Sequence, residues 1–171
     1  MTDLQEQAAE YAVAELVPHS GTMSLLDDVI SYGSDSLTAM VRVHPGAEFF
    51  ACTATGSRGI PGWLGIEYMA QAIAAWAGSQ AKAAGGKASV GFLLGSRKFS
   101  SSCDFFPVGA ELTIKVERLL QDANGLGSFE CSLSFIDPLT HKPQQQQARL
   151  NVFQPPNIDE FMESAKGNTH V

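Results

Sequence analysis

Residues 59–72 of the chain read GIPGWLGIEYMAQA, and this stretch limits the folds that the rest of the sequence can adopt. A Pro-Gly pair begins at Pro61, and a nearly uncharged run follows, rich in alanine, which is the best helix former. Gly85-Gly86 then provides a C-terminal stop signal. We therefore predict a helix from about Pro61 to Ala84. Its apolar residues occur all round the helix, which is typical of a buried helix surrounded by other structure.

One acidic residue, Glu67, interrupts the apolar run near its start. A carboxylate on a buried helix is costly unless it is paired or hydrogen-bonded, and the free N–H groups of a helix N-terminus favour anions. Glu67 is therefore a candidate catalytic residue. The alternative is a structural glutamate that reaches a neighbouring amide or the surface.

The composition predicts one globular domain over residues 1–171, with a core from about 16 to 153, a short N-terminal helix and a loose C-terminal tail. The net charge is −7, which argues against nucleic acid or an anionic membrane surface as the main partner. The acidic N-terminus is unlike a signal peptide, and no uninterrupted apolar run has the length of a membrane span.

The three cysteines are an odd number without C-x-x-C spacing. This pattern favours a reducing, cytoplasmic location and predicts no disulfide framework and no metal site. No nucleotide or phosphate fingerprint is present, so we expect no cofactor.

The remaining sequence predicts strands on both sides of the central helix. Amphipathic spacing predicts a helix over residues 2–16, and residues 48–58 are rich in Gly, Ser and Thr, which favours a loop. Alternating or apolar segments predict two strands before the central helix and about four after it; they begin near residues 25, 37, 88, 111, 127 and 148. A short helix is expected over 159–165. This order indicates an α+β fold, and an antiparallel sheet that wraps around a long central helix is one of several such arrangements.

Local motifs resemble the β-hydroxyacyl-[acyl carrier protein] dehydratases of fatty acid synthesis, and in particular the dehydratase-like proteins of aryl polyene clusters. The most specific motif is residues 60–71, which are similar to the family's "PGVLxxEAMAQ" around Glu67. Three corroborating stretches occur in the family's order: residues 16–29 (similar to "LPHR-x-PFLLVDRV"), Phe49-Phe50 (similar to "PFF"), and residues 91–109 (similar to "FAGIDxARFxxPVxPGD").

The resemblance implies a dimeric hotdog fold with its active site at the subunit interface. It also implies dehydration of a 3-hydroxyacyl thioester, held on an acyl carrier protein, to the trans-2-enoyl thioester. In that family a His removes the α proton, an acid assists departure of the hydroxyl, and a backbone N–H at the helix start polarises the thioester carbonyl. By motif position, Glu67 takes the acid's role and Gly62 the donor's role, while Thr53 and Trp63 are further candidate substrate-binding residues.

The chain departs from the family pattern at the position of the base. The family's His follows the Phe-Phe pair and lies 14 residues before the acid, and this position holds Thr53. A threonine hydroxyl is no base at neutral pH. Another histidine of the chain, best His19 and otherwise His44, His141 or His170, is one possible replacement.

Two further explanations remain open. The protein could pair with a paralogous hotdog subunit that carries the His, in a heterodimer instead of a homodimer. Alternatively Glu67 could act alone, as in hotdog thioesterases, where a carboxylate activates water or attacks the thioester.

Overall fold

The computed structural model describes residues 6–18, 24–52, 56, 58–86 and 91–167. The strands are β1 (Gln7–Ala8), β2 (Asp28–Tyr32), β3 (Ser36–Arg42), β4 (Ala51–Cys52), β5 (Arg58–Pro61), β6 (Phe92–Ser101), β7 (Phe105–Pro107), β8 (Glu111–Gln121), β9 (Leu126–Ile136) and β10 (Pro143–Phe153). The helices are α1 (Val13–Leu16), α2 (Gly65–Ala83) and α3 (Ile158–Gly167), and a 3₁₀ turn (Gly62–Leu64) leads into α2. None of these helices is both long and apolar enough to cross a membrane.

The strands form a seven-stranded sheet in the order β1-β2-β3-β8-β9-β10-β6 and a small sheet in the order β4-β5-β7. Every pairing is antiparallel. Alternation in β8 buries Leu112, Ile114 and Val116 while the residues between them are exposed. The period-2 pattern of the sequence is thus confirmed in this strand.

Helix α2 packs against the large sheet, as its all-round apolar character predicts. Trp76 of α2 meets Phe129 of β9 edge to face, with ring centroids 5.4 Å apart, and Tyr68 lies 6.3 Å from Phe106. Burial of apolar surface on this scale is the main favourable term in folding. An antiparallel sheet that wraps one long helix is a hotdog fold, so the predicted fold is confirmed.

The C-terminus of α2 has a specific cause in the sequence. Gly85 has a φ of 79°, a left-handed conformation that favours glycine. The N–H of Gly85 donates to Lys82 O at 3.0 Å, and the N–H of Gly86 donates to Ala81 O at 2.7 Å. This is a Schellman motif, and it satisfies carbonyls that the end of a helix leaves without partners.

The prediction of a helix over residues 2–16 is wrong for the described residues. Helix α1 covers only Val13–Leu16, and Gln7–Ala8 pairs with β2. Glu6 fastens this strand, because its carboxylate accepts hydrogen bonds from Ser31 and Thr38. Sheet pairing with a distant partner outweighs the local helical spacing.

Two smaller predictions are also corrected. The segment 48–58 is only partly a loop, because Ala51–Cys52 pairs with the start of β5. In the part of the chain that the structure describes, five strands follow α2, where about four were predicted. The short C-terminal helix is confirmed as α3, which continues to Gly167 where a loose tail was expected.

Candidate active site

Glu67 lies in the first turn of α2, and its side chain is partly exposed. Its Oε1 accepts a hydrogen bond from Gln71 Nε2 at 3.3 Å. Gln71 is buried, and its own Oε1 accepts from the backbone N–H of Leu25 at 2.8 Å. The side chain of Gln71 therefore links the carboxylate of Glu67, one helical turn earlier, to the segment before β2.

A narrow apolar slot of about 180 Å³ extends along α2 from Glu67. On the helix side it is lined by Ile73 and by Ala70, Ala74 and Ala77, and these alanines share the face of Glu67 at helical spacing. Between Glu67 and Ala77 the helix rises by about 15 Å. Loops and strands form the other walls of the slot, with the residues Pro18, Gly91, Phe92, Leu93, Val152, Phe153 and Gln154. A carboxylate beside a narrow slot with mainly apolar walls suits a thioester whose linear acyl chain lies along the helix.

Strand β6 forms the edge of the large sheet next to this slot. Its residues are exposed along nearly the whole strand, including Leu93, Leu94 and Phe99. Within the described part of the chain, no strand pairs with its outer edge. A long edge strand with exposed apolar residues is an attachment site for another strand. Because Leu93 also lines the slot, a subunit attached here would lie beside the slot that Glu67 lines as well.

Hydrogen bonds engage both the N–H and the carbonyl of Gly62 at the start of α2. The N–H of Gly62 donates to Asp104 O at 2.8 Å. The carbonyl of Gly62 accepts from Gln146 Nε2 at 2.9 Å and from the N–H of Gly65. The predicted role of Gly62 required a free N–H, so this prediction is wrong. Gly62 is a glycine for a packing reason, since a Cβ there would lie 2.9 Å from Asp104 O.

Trp63 is the next residue and is 66% exposed. Its ring meets Phe49 edge to face, with centroids 6.3 Å apart. Phe49 has a φ of 63°, an uncommon conformation for a large side chain. Among the described residues, no acceptor is found for the Trp63 N–H, in keeping with its place in the first turn of a helix.

The structure brings neither His44 nor His141 to the slot. His44 is exposed after β3, and its Nδ1 accepts from the N–H of Gly46 at 3.2 Å. His141 is exposed in the turn between β9 and β10. His19, Thr53 and His170 lie outside the described residues. Within the described part of the chain, the slot therefore contains Glu67 and no histidine.

The cysteines give no second nucleophile beside Glu67. Burial raises the pKa of Cys131 to about 12, so its thiol is protonated at neutral pH. Burial also raises the pKa of Cys103 despite its hydrogen bond with Ser101. Cys52 is exposed on β4 and does not line the slot.

Sequence reasoning missed Gln146, which the structure places at the start of α2. Gln146 belongs to a run of four glutamines, residues 144–147, just before the last predicted strand begins near residue 148. Its alternation with Ala148 and Leu150 already predicts that all three face the core. The structure buries all three of these side chains.

Comparisons with known proteins agree with this fold. The family model described as ApeP-like, ApeP dehydratase, matches residues 11–163. The dehydratase heterocomplex ApeI:P from Xenorhabdus doucetiae contains a chain that is 31% identical, with a TM-score of 0.77, over 92% of this chain and 99% of that chain.

More distant structures share the fold alone. A hypothetical thioesterase with coenzyme A from Streptococcus pneumoniae is 11% identical with a TM-score of 0.54, over 78% of this chain and 91% of that chain. The protein smu.793 from Streptococcus mutans, bound to acetyl CoA, is 11% identical with a TM-score of 0.52, over 75% of this chain and 88% of that chain. No curated protein sequence matches the chain.

Proposed function

The chain belongs to the ApeP-like dehydratase family, and from this premise we propose that it takes part in dehydrating 3-hydroxyacyl-[acyl carrier protein] thioesters to trans-2-enoyl thioesters. We further propose that it works as one subunit of a heteromeric complex, in lipid or aryl polyene biosynthesis. The observation that carries the proposal is the carboxylate of Glu67 beside an apolar slot that contains no described histidine and is walled by the free edge strand.

In this proposal Glu67 acts as the general acid. A base removes the proton from C2 of the substrate, and the thioester oxygen takes up the developing negative charge. The C3–O bond then breaks, and the leaving hydroxyl departs as water with the proton of Glu67. Solvent returns a proton from the base to Glu67. General acid–base assistance of this kind contributes about 10²–10⁴ in rate.

The base comes from a paralogous hotdog partner. The position where the family carries its His holds Thr53, and the described histidines are away from the slot. A similar chain occurs in a dehydratase heterocomplex. Leu93 belongs both to the exposed edge strand and to the slot, so a partner strand paired to β6 would close the slot beside Glu67.

The slot supports an acyl chain as the substrate portion that is bound inside. Its helix wall includes three alanines beside Ile73, and these small side chains leave room for a chain of methylene or polyene carbons. The carrier protein itself would contact the surface. Arg97 and Lys98 are exposed on β6 and supply local positive charge on a chain whose net charge is −7. These are the basic groups of the edge strand that could meet a phosphopantetheine phosphate.

The proposal is tested by hydration of a trans-2-enoyl carrier-protein thioester, followed as loss of enoyl absorbance. The chain is assayed alone, the His-bearing paralogue is assayed alone, and the two are assayed after mixing. We expect little turnover by this chain alone and a large gain on mixing, together with co-elution of the two chains. Full turnover by this chain alone would contradict the heteromeric proposal. Release of free thiol by this chain alone, lost in Glu67→Gln, would instead favour a thioesterase.

A further inference from the structure

The glutamine-rich tract at the start of β10 contacts the beginning of α2 through one side chain. Gln146 is 1% exposed, and its Nε2 donates to the carbonyl of Gly62 at 2.9 Å and to Ser101 Oγ at 3.1 Å. Its neighbours reinforce this connection. Ser102 Oγ donates to Gln144 Oε1 at 2.6 Å and accepts from the N–H of Gln145 at 2.8 Å.

The orientation of the Gln146 amide follows from its surroundings. With the amide reversed, its oxygen would face the carbonyl oxygen of Gly62, and the two oxygens would repel each other. In the observed orientation Oε1 lies over Gly65 and is buried without a hydrogen-bond partner in the described part of the chain. An unpaired buried acceptor costs about 1–3 kcal/mol. The contact of Nε2 with Gly62 is thus kept at a cost to stability.

The carbonyl that Gln146 contacts belongs to the peptide that joins Gly62 to Trp63. In a trans peptide the C=O and the N–H point in opposite directions. Gln146 approaches the carbonyl from the core, so the N–H of Trp63 points away from the core. Hydrogen bonds to a carbonyl also polarise the N–H of the same peptide, because linked hydrogen bonds strengthen one another. This carbonyl accepts two, from Gln146 and from the N–H of Gly65.

We propose that the Trp63 N–H is the donor that stabilises the thioester oxygen, and that Gln146 is the positioning residue that orients and polarises it. This inference rests on the proposed dehydratase function. The Trp63 N–H takes the donor role that the sequence predicted for the Gly62 N–H, because the Gly62 N–H already donates to Asp104. Trp63 precedes Glu67 by four residues, so the donor lies about one turn before the acid along the chain.

The first test uses NMR on the full chain labelled with ¹⁵N only at tryptophan. The chain has two tryptophans, so two backbone amide signals are expected, and Trp63→Phe assigns them. Trp76 lies in the middle of α2 and serves as the internal reference. Gln146→Met removes the donor at similar volume, and Gln147→Met is the matched control on the exposed side of β10.

We expect an upfield shift of the Trp63 amide proton in Gln146→Met, with Trp76 unchanged and both signals unchanged in Gln147→Met. An unchanged Trp63 signal, or equal shifts of both tryptophans, would overturn the proposal.

A second variant keeps the test independent of folding defects. In Gln146→Glu the side chain can donate to Gly62 only while it is protonated, and burial raises the pKa of such a carboxyl. The Trp63 signal should therefore resemble the wild type at low pH and move upfield as the pH rises, while Trp76 stays fixed. A Trp63 signal without this titration would overturn the proposal.

The catalytic part is tested in the mixed, active complex. Complete loss of an oxyanion donor lowers kcat by about 10²–10³. Gln146→Met keeps the N–H and only weakens it, so we expect kcat to fall by about tenfold with KM little changed. An unchanged kcat would overturn the donor role of Trp63. If the wild-type complex has no dehydratase activity, the proposed function fails, whereas the NMR signals still decide how Gln146 acts on Trp63.

Discussion

A Cβ placed on Gly65 would lie 1.8 Å from Oε1 of Gln146, so the first residue of α2 and the buried glutamine of β10 fit together only because Gly65 has no side chain. Glycine at a helix position costs about 0.5–1 kcal/mol relative to alanine. Here that cost permits the glutamine to reach the carbonyl of Gly62. The relationship gives a prediction that needs no knowledge of substrate.

We expect Gly65→Ala to lower the free energy of unfolding by about 2 kcal/mol, because overpacking outweighs the better helix propensity. In a Gln146→Ala background the obstruction is gone, and Gly65→Ala should be neutral or stabilising by up to about 1 kcal/mol. Urea denaturation of the four proteins measures both effects and their coupling. If the two substitutions had additive effects, an alanine side chain at position 65 would not be in contact with Gln146.

The edge strand β6 gives a prediction about association. Leu93→Lys places a charge where the partner strand would pack, so we expect weaker binding to the paralogue, by at least about 1.4 kcal/mol or tenfold in Kd. Sedimentation velocity measures the complex. Leu139→Lys is the matched control, since Leu139 is 80% exposed in the turn between β9 and β10. Equal binding by both variants would place the interface elsewhere.

The alanine wall of the slot gives a prediction about chain length. Ala74→Leu fills part of the slot, so longer acyl chains should lose more activity than short ones. Each methylene that is no longer buried costs about 0.8 kcal/mol, which corresponds to about fourfold in kcat/KM. A series of enoyl thioesters of increasing length measures the effect in the mixed complex. Ala83→Leu, on the exposed end of α2, is the control and should not change the length profile.

Glu6 gives a prediction about pH. Burial opposes its ionisation, but hydrogen bonds from Ser31, Ser36 and Thr38 outweigh burial, so its pKa is lowered. A lowered folded-state pKa adds stability above the unfolded-state pKa, and this stability is lost as the pH falls through the folded-state pKa. We expect Glu6→Gln to cost about 1 kcal/mol at pH 7, since the site is only partly buried.

The stability difference between Glu6→Gln and the wild type should shrink as the pH is lowered through the titration of Glu6. Thermal unfolding at a series of pH values measures it. A difference that stays constant from neutral to acid pH would show that the charge of Glu6 contributes nothing to folding.

Local signals were sufficient to predict α2 and the longer strands β2, β3, β6, β8, β9 and β10, but not the short strands β1, β4, β5 and β7. Alanine content and the Gly85-Gly86 stop define the helix, and period-2 alternation defines β8, β9 and β10. The N-terminal segment was mispredicted because Gln7–Ala8 is stabilised by pairing with β2, a contact that local spacing does not reveal.

The candidate site was predictable only in part. Glu67 stands out as the one acid in an apolar run, and its position on α2 is confirmed, although its catalytic role remains a proposal. The engagement of the Gly62 N–H could not be foreseen, because its acceptor, Asp104, is 42 residues away in the sequence. Gln146 was foreseeable from its alternation with Leu150, but the last strand was predicted to begin only near residue 148.

The most direct test of the account is the effect of Glu67→Gln on the complex with the His-bearing paralogue. Glutamine preserves the shape of the side chain but cannot give a proton to the leaving hydroxyl. We expect enoyl hydration to fall by about 10²–10⁴ while the complex still forms, and Glu163→Gln on the exposed helix α3 to change neither. Unchanged turnover in the Glu67→Gln complex would contradict the account and leave this chain as a structural subunit of its partner.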